Sequence, residues 1–317
     1  MRRRHFLSRA LCVLLAGLLM LASGCKNSYV PKPLTAKSGE SFDPYAYDNH
    51  YDVYDSLFNY HLGVDYGTVH RDVSYWSTVA GDYKQCNVLL PAGYDEKQTY
   101  PVMYVVHGFW GEHGDQIDEG SYLTLLYGNM LHRGLTVPMI LVNLDMYSDK
   151  AADKADMSNE QLRHSYDKVI TEIHEDLMPF IEKTYPVSTD RRDTAIAGMS
   201  EGGAKALCIG FTWPEEFGWI AAFAPDSGVI PTEFYKGSFW SEPLLEDFPS
   251  LTGDTTPYYV YMAVGTQDPY NLDVTQYYRD VMNEKGIRNQ TDLAQGYAHK
   301  TSFWRQCFYN YLAKVFK

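Results

Sequence analysis

Short apolar runs alternate with stripes of helical period along most of the chain. Residues 69–77 and 85–90 predict two strands joined by a turn at 81–82, and we expect this pair to be antiparallel. The continuous apolar runs 101–106 and 138–144 are typical of strands buried on both faces. The other predicted elements are helices at 122–131, about 160–183, after 198, at 273–284 and from 303, and strands at 194–197, 219–224, 258–264 and 291–294.

This alternation predicts an α/β fold with a mainly parallel sheet covered by helices on both faces. The helix at about 160–183 contains Pro179, which lacks an amide hydrogen and should kink or restart it. Residues 41–66 contain six tyrosines without a repeat. We interpret them as a segment packed over the main domain, and a carbohydrate-stacking surface is the alternative.

The first 25 residues have the pattern of an export signal. Three arginines at 2–4 precede an apolar run, 10–22, that is too short to span ~30 Å of hydrocarbon comfortably as a helix. The small residues 22–24 and Cys25 resemble the lipobox of bacterial lipoproteins, although Ala22 replaces the usual leucine. We predict a signal peptide at 1–24, a lipidated Cys25 with a tether and the tyrosine-rich segment at 25–65, and the main domain at 66–317. The export route stays open, because the arginines also resemble a twin-arginine signal.

The net charge of the chain limits the classes of partner that it can bind. The formal net charge is −13, and removal of the signal with its four arginines leaves 23 basic against 40 acidic residues, or −17. We therefore expect no nucleic-acid partner, because phosphate binding needs surplus lysine and arginine. We expect membrane contact through the lipid alone. The three cysteines that remain, Cys86, Cys208 and Cys307, are expected to be buried free thiols.

Residues 198–202, Gly-Met-Ser-Glu-Gly, fit the pattern G-x-S-x-G. They follow a predicted strand and precede a predicted helix, which is the setting that a nucleophile elbow requires. Ser200 is therefore the candidate nucleophile. The backbone N–H of Glu201 is then the candidate first donor to a developing oxyanion.

A serine nucleophile needs a base, and the base needs a carboxylate that orients it. His299 is the only histidine after Ser200, which makes it the candidate base in the order Ser, acid, His. Asp268 follows the predicted strand 258–264 and is the preferred acid. Asp226 is its rival, and Asp273 is a more distant one, expected at the start of a helix.

The loop after the strand that ends near 106 should supply the second oxyanion donor, and the candidate is the N–H of Phe109. Trp110 is a candidate wall of the acyl pocket or a buried anchor of the loop, and Asp226 is also a candidate substrate contact. His107 is expected to be structural. The histidines at 107, 113, 164 and 174 lack metal-ligand spacing, so we predict no metal site, and no nucleotide-binding pattern is present.

Several segments resemble the "Putative esterase" family of the α/β-hydrolases, which includes esterase D-like, feruloyl, acetylxylan and enterochelin esterases and mycolyltransferases. Residues 100–108, YPVMYVVHG, resemble its YPVLYLLHG opening, and 176–187, DLMPFIEKTYPV, resemble its ELIPYIEKNYPV helix. Residues 195–200, AIAGMS, resemble its nucleophile strand, and Trp304 follows His299 by five residues as in the family. The likeness covers about 66–317 and implies an α/β-hydrolase fold.

Two departures from the family affect the site. Glu201 stands where methionine is usual, and its carboxylate should disfavour anionic acyl groups or change the surroundings of the serine. Ala298 and Lys300 flank His299, where glycine and aspartate are usual. Both departures concern the substrate more than the three candidate catalytic residues.

The resemblance and the export signal together imply a lipid-anchored serine carboxylic-ester hydrolase of the bacterial cell envelope, outside the cytoplasm. Its expected substrate is a carbohydrate-linked ester, a feruloyl or acetyl group on a plant polysaccharide such as xylan as in the first carbohydrate esterase family, and no cofactor is implied. The alternatives are a hydrolase of siderophores or other small esters, and an inactive glycan-binding lipoprotein of the same fold. The segment 228–257 is either a lid or a packed connection.

Overall fold

The computed structural model describes residues 29–36, 38–234 and 242–317. The predicted signal peptide at 1–24 and the predicted lipidation site Cys25 lie outside these residues, as do the aromatics Tyr235, Phe239 and Trp240 of the segment 228–257. Across the described ranges, none of the helices combines the length and the apolar character that a bilayer crossing needs.

The described residues contain one sheet of eight strands. The strands are β1 (Thr68–Ser77), β2 (Asp82–Leu90), β3 (Val102–Val106), β4 (Ile140–Leu144), β5 (Thr194–Met199), β6 (Trp219–Phe223), β7 (Tyr259–Gly265) and β8 (Gln290–Ala294). Their order in the sheet is β1-β2-β4-β3-β5-β6-β7-β8. β1 and β2 are antiparallel, as predicted, and β2 is also antiparallel to β4. From β4 to β8 every neighbouring pair is parallel.

Helices cover both faces of this sheet, because its central strands are apolar on both sides. The helices are α1 (Tyr122–His132), α2 (Asn159–Asp167), α3 (Val169–Glu172), α4 (Met178–Thr184), α5 (Glu201–Thr212), α6 (Leu272–Glu284) and α7 (Thr301–Leu312). In β3, Tyr104 packs into one core with residues of α2 to α6, while Met103 and Val105 face a second core with α1 and α7. The predicted mainly parallel α/β fold is confirmed.

The helix predicted at about 160–183 is divided into α2, α3 and α4. The division falls at Lys168 and at a π turn, Ile173–Leu177, rather than at Pro179 alone. Pro179 lies in the first turn of α4, where a missing amide hydrogen is tolerated.

The tyrosine-rich segment lies against the domain. The hydroxyl of Tyr45 donates to the carbonyl of Arg288 (2.8 Å) and accepts from the amide of Val260 (2.9 Å). Leu57 and Phe58 are buried in the core that contains α1 and α7. The packed chain extends back to Tyr29, which pairs with Val53.

The connection after β6 packs against the domain in its described part. Val229, Ile230 and Phe248 are buried in the core with α5 and α6. The amides of Leu244 and Leu245 donate to the carbonyls of Gly228 and Val229, respectively, at 2.9 Å. The three cysteines Cys86, Cys208 and Cys307 are buried and free, and burial raises the pKa of each thiol.

Candidate active site

The elbow after β5 holds Ser200 in a strained conformation. Its φ is 55° and its ψ is −124°, a region that a residue with a side chain rarely adopts. The neighbouring glycines allow the turn: a Cβ on Gly198 would overlap the carbonyl of Gly202, and a Cβ on Gly202 would overlap the carbonyls of His107 and Val106. The turn therefore places the serine hydroxyl above the carboxyl edge of the sheet.

Three candidate residues meet at this edge from the ends of three different strands. Ser200 follows β5, Asp268 follows β7 and His299 follows β8. Nδ1 of His299 lies 2.7 Å from Oδ2 of Asp268, and Nε2 lies 3.0 Å from Oγ of Ser200. With an Nδ1–H donated to the carboxylate, Nε2 is free to accept the serine hydroxyl proton.

The acid is fixed by its own loop. Oδ1 of Asp268 accepts hydrogen bonds from the amides of Tyr270 (2.9 Å) and Asn271 (3.1 Å). Burial opposes ionisation of Asp268, but the hydrogen bonds from His299 and these two amides outweigh it and lower the carboxyl pKa. Asp268 is thus held as a carboxylate that orients the imidazole.

The rival acids are placed elsewhere. Asp226 follows β6 and lines the same cavity, but its Oδ1 accepts from the amide of Ser227 (2.8 Å). Asp273 lies in the first turn of α6, as the sequence indicated. Neither stands in the place that Asp268 takes beside His299.

The loop after β3 approaches Ser200 at Gly108, where a Cβ would lie 3.7 Å from Cβ of Ser200. His107, which is fully buried, fixes this loop: its Nδ1 lies 2.7 Å from the carbonyl of Gly108, and its Nε2 accepts from the amide of Met146 at 3.0 Å. The Gly108 carbonyl and the Phe109 N–H belong to one planar peptide unit, so His107 also fixes the orientation of the candidate oxyanion donor. The other candidate donor, the Glu201 amide, opens α5 and has no acceptor within the helix.

A cavity of about 280 Å³ opens over Ser200. Its walls are largely aromatic, and Trp110 is 60% exposed there rather than buried as an anchor. Tyr270 and Trp304 approach the His299 ring edge-on, at centroid distances of 6.0 and 5.4 Å. The lining residues are Gly108, Phe109, Trp110, Ser200, Asp226, Tyr270, Asn271, His299 and Trp304.

The side chain of Glu201 does not open to the cavity. It is fully buried, and its Oε1 lies 2.9 Å from Nζ of Lys205, which also binds Asp167 at 2.6 Å. Burial opposes the charge of Lys205, but the carboxylates of Glu201 and Asp167 outweigh it and raise the lysine pKa. The predicted repulsion of anionic acyl groups by Glu201 is therefore weakened by a buried counter-ion.

Asp226 is a cavity side chain whose pKa is strongly shifted by its surroundings. Burial, and then the carboxylate of Glu201, raise the pKa of Asp226 to about 7, although Arg163 and His299 act in the opposite direction. At neutral pH the cavity therefore contains a carboxyl group close to its midpoint of titration.

The histidines considered as metal ligands have other partners. His113 bonds Asp72 (2.9 Å), and His174 stacks on Trp213 and pairs with Glu216. Over the part of the chain that the structure describes, no group of three or more His, Cys, Asp or Glu side chains is placed to hold a metal.

Tyr270 and Asn271 are cavity residues that the sequence analysis missed. Their position two and three residues after Asp268 could have indicated this, since a loop that carries the acid of such a site also lines the site. Lys205 was missed as well, although Glu201 and Lys205 have the i, i+4 spacing of a helical ion pair.

The sheet order and the position of the site at the carboxyl ends of β5, β7 and β8 define an α/β-hydrolase. The chain belongs to the "Putative esterase" family, whose sequence profile matches residues 77–313. The resemblance seen in the sequence is thereby confirmed.

Individual relatives agree with this assignment. A CE1 ferulic acid esterase of Anaeromyces mucronatus, solved in complex with ferulic acid, superposes with a TM-score of 0.76 at 28% identity, covering 85% of this chain and 98% of that one. An endo-1,4-beta-xylanase/feruloyl esterase of Xylanibacter ruminicola is 25% identical over 266 residues, which are 82% of this chain. The chain spans about a third (33%) of the length of that relative. An enterobactin esterase of Shigella flexneri shares the fold, with a TM-score of 0.53 at 19% identity over 77% of this chain and 58% of its own.

Proposed function

We propose that this protein hydrolyses feruloyl-type esters on plant polysaccharide. The observation that carries the proposal is the aromatic wall of the cavity, in which Phe109, Trp110, Tyr270 and Trp304 surround Ser200. Flat aromatic side chains stack well on a flat aromatic acyl group. An acetyl group would leave most of the 280 Å³ unfilled, so we place acetyl esters second. The relatives named as feruloyl and ferulic acid esterases support the same choice.

The proposed reaction uses the hydrogen-bonded series at the sheet edge. Oγ of Ser200 attacks the ester carbonyl while Nε2 of His299 takes its proton, and Asp268 stabilises the resulting imidazolium. The amides of Glu201 and Phe109 donate to the oxyanion. The bond to the sugar oxygen then breaks, and that oxygen takes the proton from His299. Water, deprotonated by His299, attacks the acyl-enzyme. The bond to Oγ of Ser200 then breaks and Oγ takes the proton back from His299, which releases the carboxylic acid and restores both residues.

The test compares methyl ferulate with 4-nitrophenyl acetate as substrates of residues 26–317. Ser200→Ala should lower kcat at least about 10⁴-fold, since removing a triad nucleophile leaves only binding and oxyanion stabilisation. Ser38→Ala, at an exposed serine, is the matched control and should leave kcat unchanged. We expect the specificity constant for methyl ferulate to exceed that for the acetyl ester after correction for the leaving group.

Other outcomes would contradict parts of the proposal. Turnover that survives in Ser200→Ala would contradict the mechanism. A clear preference for the acetyl ester would contradict the acyl group. Glycan binding without turnover of either ester would favour the inactive glycan-binding alternative.

We further propose that the protein is exported and anchored to the bacterial envelope through a lipid on Cys25. The arginines at 2–4, the short apolar run 10–22 and the small residues before the cysteine support this. Cells that express the full chain should incorporate labelled palmitate into it, and Cys25→Ala should remove the label. A label that persists in Cys25→Ala, or its absence from the wild type, would contradict the anchor.

A further inference from the structure

An exposed aromatic pair lies on β1 and β2, the antiparallel strands at one side of the sheet, outside the lining of the catalytic cavity. Trp76 of β1 and Tyr83 of β2 are directly paired across the strands, with ring centroids 5.2 Å apart. Trp76 is 51% exposed and Tyr83 is 65% exposed. Their neighbours Tyr75 and Lys84 point to the opposite face and are buried, so the alternation of the strands directs both rings outward. Adjacent exposed aromatic side chains of this size are a frequent mark of a binding surface.

This pair lies at the same sheet edge as Ser200. The antiparallel register sets Cys86 of β2 opposite Leu144, the last residue of β4. Residues 82–85 therefore extend past the carboxyl end of β4, towards the edge where β5 ends at the nucleophile. In the sheet order, β2 is three strands from β5, a separation of about 14 Å at the usual strand spacing.

A groove of about 200 Å³ adjoins Tyr83, and we call it the hairpin groove. Hydroxyl, amide, imidazole and carboxylate groups line it, which gives both donors and acceptors beside an aromatic wall. The side chains that define it are Ser74, Tyr83, Gln85, His113, Asp145 and Tyr147.

One loop connects the hairpin groove to the catalytic cavity. Residues 108–110 of this loop line the cavity, and His113 lines the groove. Nε2 of His113 bonds Asp72 of β1 at 2.9 Å, and Lys154 bridges Glu112 and Asp145, each at 3.7 Å. These contacts hold the loop against β1 and near Asp145, so the groove is largely formed before a ligand binds.

The side chains that line the hairpin groove indicate which class of ligand it can bind. An aromatic face can stack on the apolar face of a sugar ring, and the polar groups around it can bond the hydroxyls at the ring's rim. Lys84 of the lining is paired with Glu172 at 2.8 Å, so the carboxylates of Asp145 and Asp149 dominate the groove and disfavour anionic lipids and nucleic acids. A neutral glycan meets no such repulsion.

We propose that Trp76, Tyr83 and the hairpin groove bind the glycan chain whose ester group is cleaved at Ser200. This inference rests on the function proposed above. A polysaccharide that reaches both places is held by its backbone at the groove while its acyl group occupies the cavity. A small ester reaches the cavity alone and gains nothing from the groove.

The test uses the double variant Trp76→Ala/Tyr83→Ala in residues 26–317. In the Ser200→Ala background, calorimetric titration with feruloylated arabinoxylan fragments should show binding at least about tenfold weaker than without the aromatic substitutions, since a few aromatic contacts commonly carry most of the binding energy of a site. With Ser200 intact, kcat/KM on feruloylated arabinoxylan should fall by a similar factor. On methyl ferulate, kcat/KM should stay within about twofold of the wild type, because the cavity is unchanged.

Tyr54→Ala is the matched control, because Tyr54 is 53% exposed and does not line the groove. Circular dichroism and thermal unfolding verify that each variant is folded. Equal polysaccharide binding by the double variant, or no binding by the Ser200→Ala parent, would overturn the inference. The function proposed above fails separately, if the wild type does not hydrolyse methyl ferulate or if Ser200→Ala still hydrolyses it.

Discussion

Asp226 is a cavity carboxyl group whose ionisation the fold opposes. Its pKa is about 7 in the folded chain, against 3.8 for a solvated aspartate. Between these values the folded state holds a proton that the unfolded state has lost. The free energy of unfolding therefore falls as pH rises from about 4 to 7, and the loss is complete above 7.

Asp226→Asn should remove this loss. We expect the variant to become more stable relative to the wild type as pH rises through this window, by up to about 4 kcal/mol at pH 8, since one pKa unit corresponds to about 1.4 kcal/mol. Urea unfolding at pH values from 4 to 8 measures the difference. Asp254→Asn, at an exposed carboxyl, should follow the wild type at every pH. A constant difference between Asp226→Asn and the wild type would contradict the raised pKa.

Some site residues could be predicted from the sequence, because a local pattern marks them, and others could not. Ser200 is marked by the small residues around it, and His299 by being the last histidine of the chain. Asp268 could be preferred because parallel strands bring their carboxyl ends to one edge. The ion pair of Glu201 with Lys205 has the local i, i+4 spacing, but the bond from Lys205 to Asp167, which completes the buried charges under the cavity, depends on α2 meeting α5 and has no local pattern.

At the scale of the element, the turn from β5 into α5 depends on how closely it approaches the loop after β3. A Cβ on Gly202 would meet backbone oxygens of β3 and of His107, which cannot rotate away. A Cβ on Gly203 would meet atoms of Pro225, Gly198 and Phe223 at 3.2 to 3.4 Å, a tight but adjustable fit. Adjacent glycines in one helical turn therefore differ in what they tolerate.

Gly202→Ala should destabilise the protein by about 3 kcal/mol or more, since it overpacks against backbone, and should lower kcat by displacing the loop after β3. Gly203→Ala should stay within about 1 kcal/mol of the wild type, because gained helix propensity offsets the tight contacts. Urea unfolding and the turnover of methyl ferulate measure the two effects. Equal behaviour of the two variants would show that the approach of β3 does not constrain the elbow.

The strands were predictable because burial on both faces leaves continuous apolar runs, as in β3 and β4. The division of the helix before α4 was not. The π turn Ile173–Leu177 contains Asp176, whose carboxylate accepts from the amide (2.9 Å) and hydroxyl (2.8 Å) of Thr78. That partner lies 98 residues away in the chain, so no pattern within the helix indicates it.

At the scale of the whole molecule, the segment before β1 completes the side of the sheet that α1 and α7 cover. Nδ2 of Asn129 in α1 donates to the carbonyls of Leu57 (2.9 Å) and Asn59 (2.8 Å). Nζ of Lys314 donates to the carbonyl of Tyr47 at 2.6 Å. The partners span the domain from α1 to the residues after α7, so the segment ties distant parts of it together.

A chain that begins at residue 66 should therefore be much less stable than one that begins at residue 26. It loses the burial of Val53, Leu57 and Phe58, about 1.5–3 kcal/mol each, and leaves the buried amide of Asn129 without acceptors. Together these losses should lower the Tm by at least about 10 °C for a domain of this size. A chain that begins at Tyr29 keeps these contacts and serves as the control, with an expected Tm close to that of residues 26–317. Thermal unfolding followed by circular dichroism measures all three chains. An unchanged Tm in the chain from residue 66 would show that the tyrosine-rich segment covers the domain without stabilising it, and would support the predicted domain boundary at residue 66.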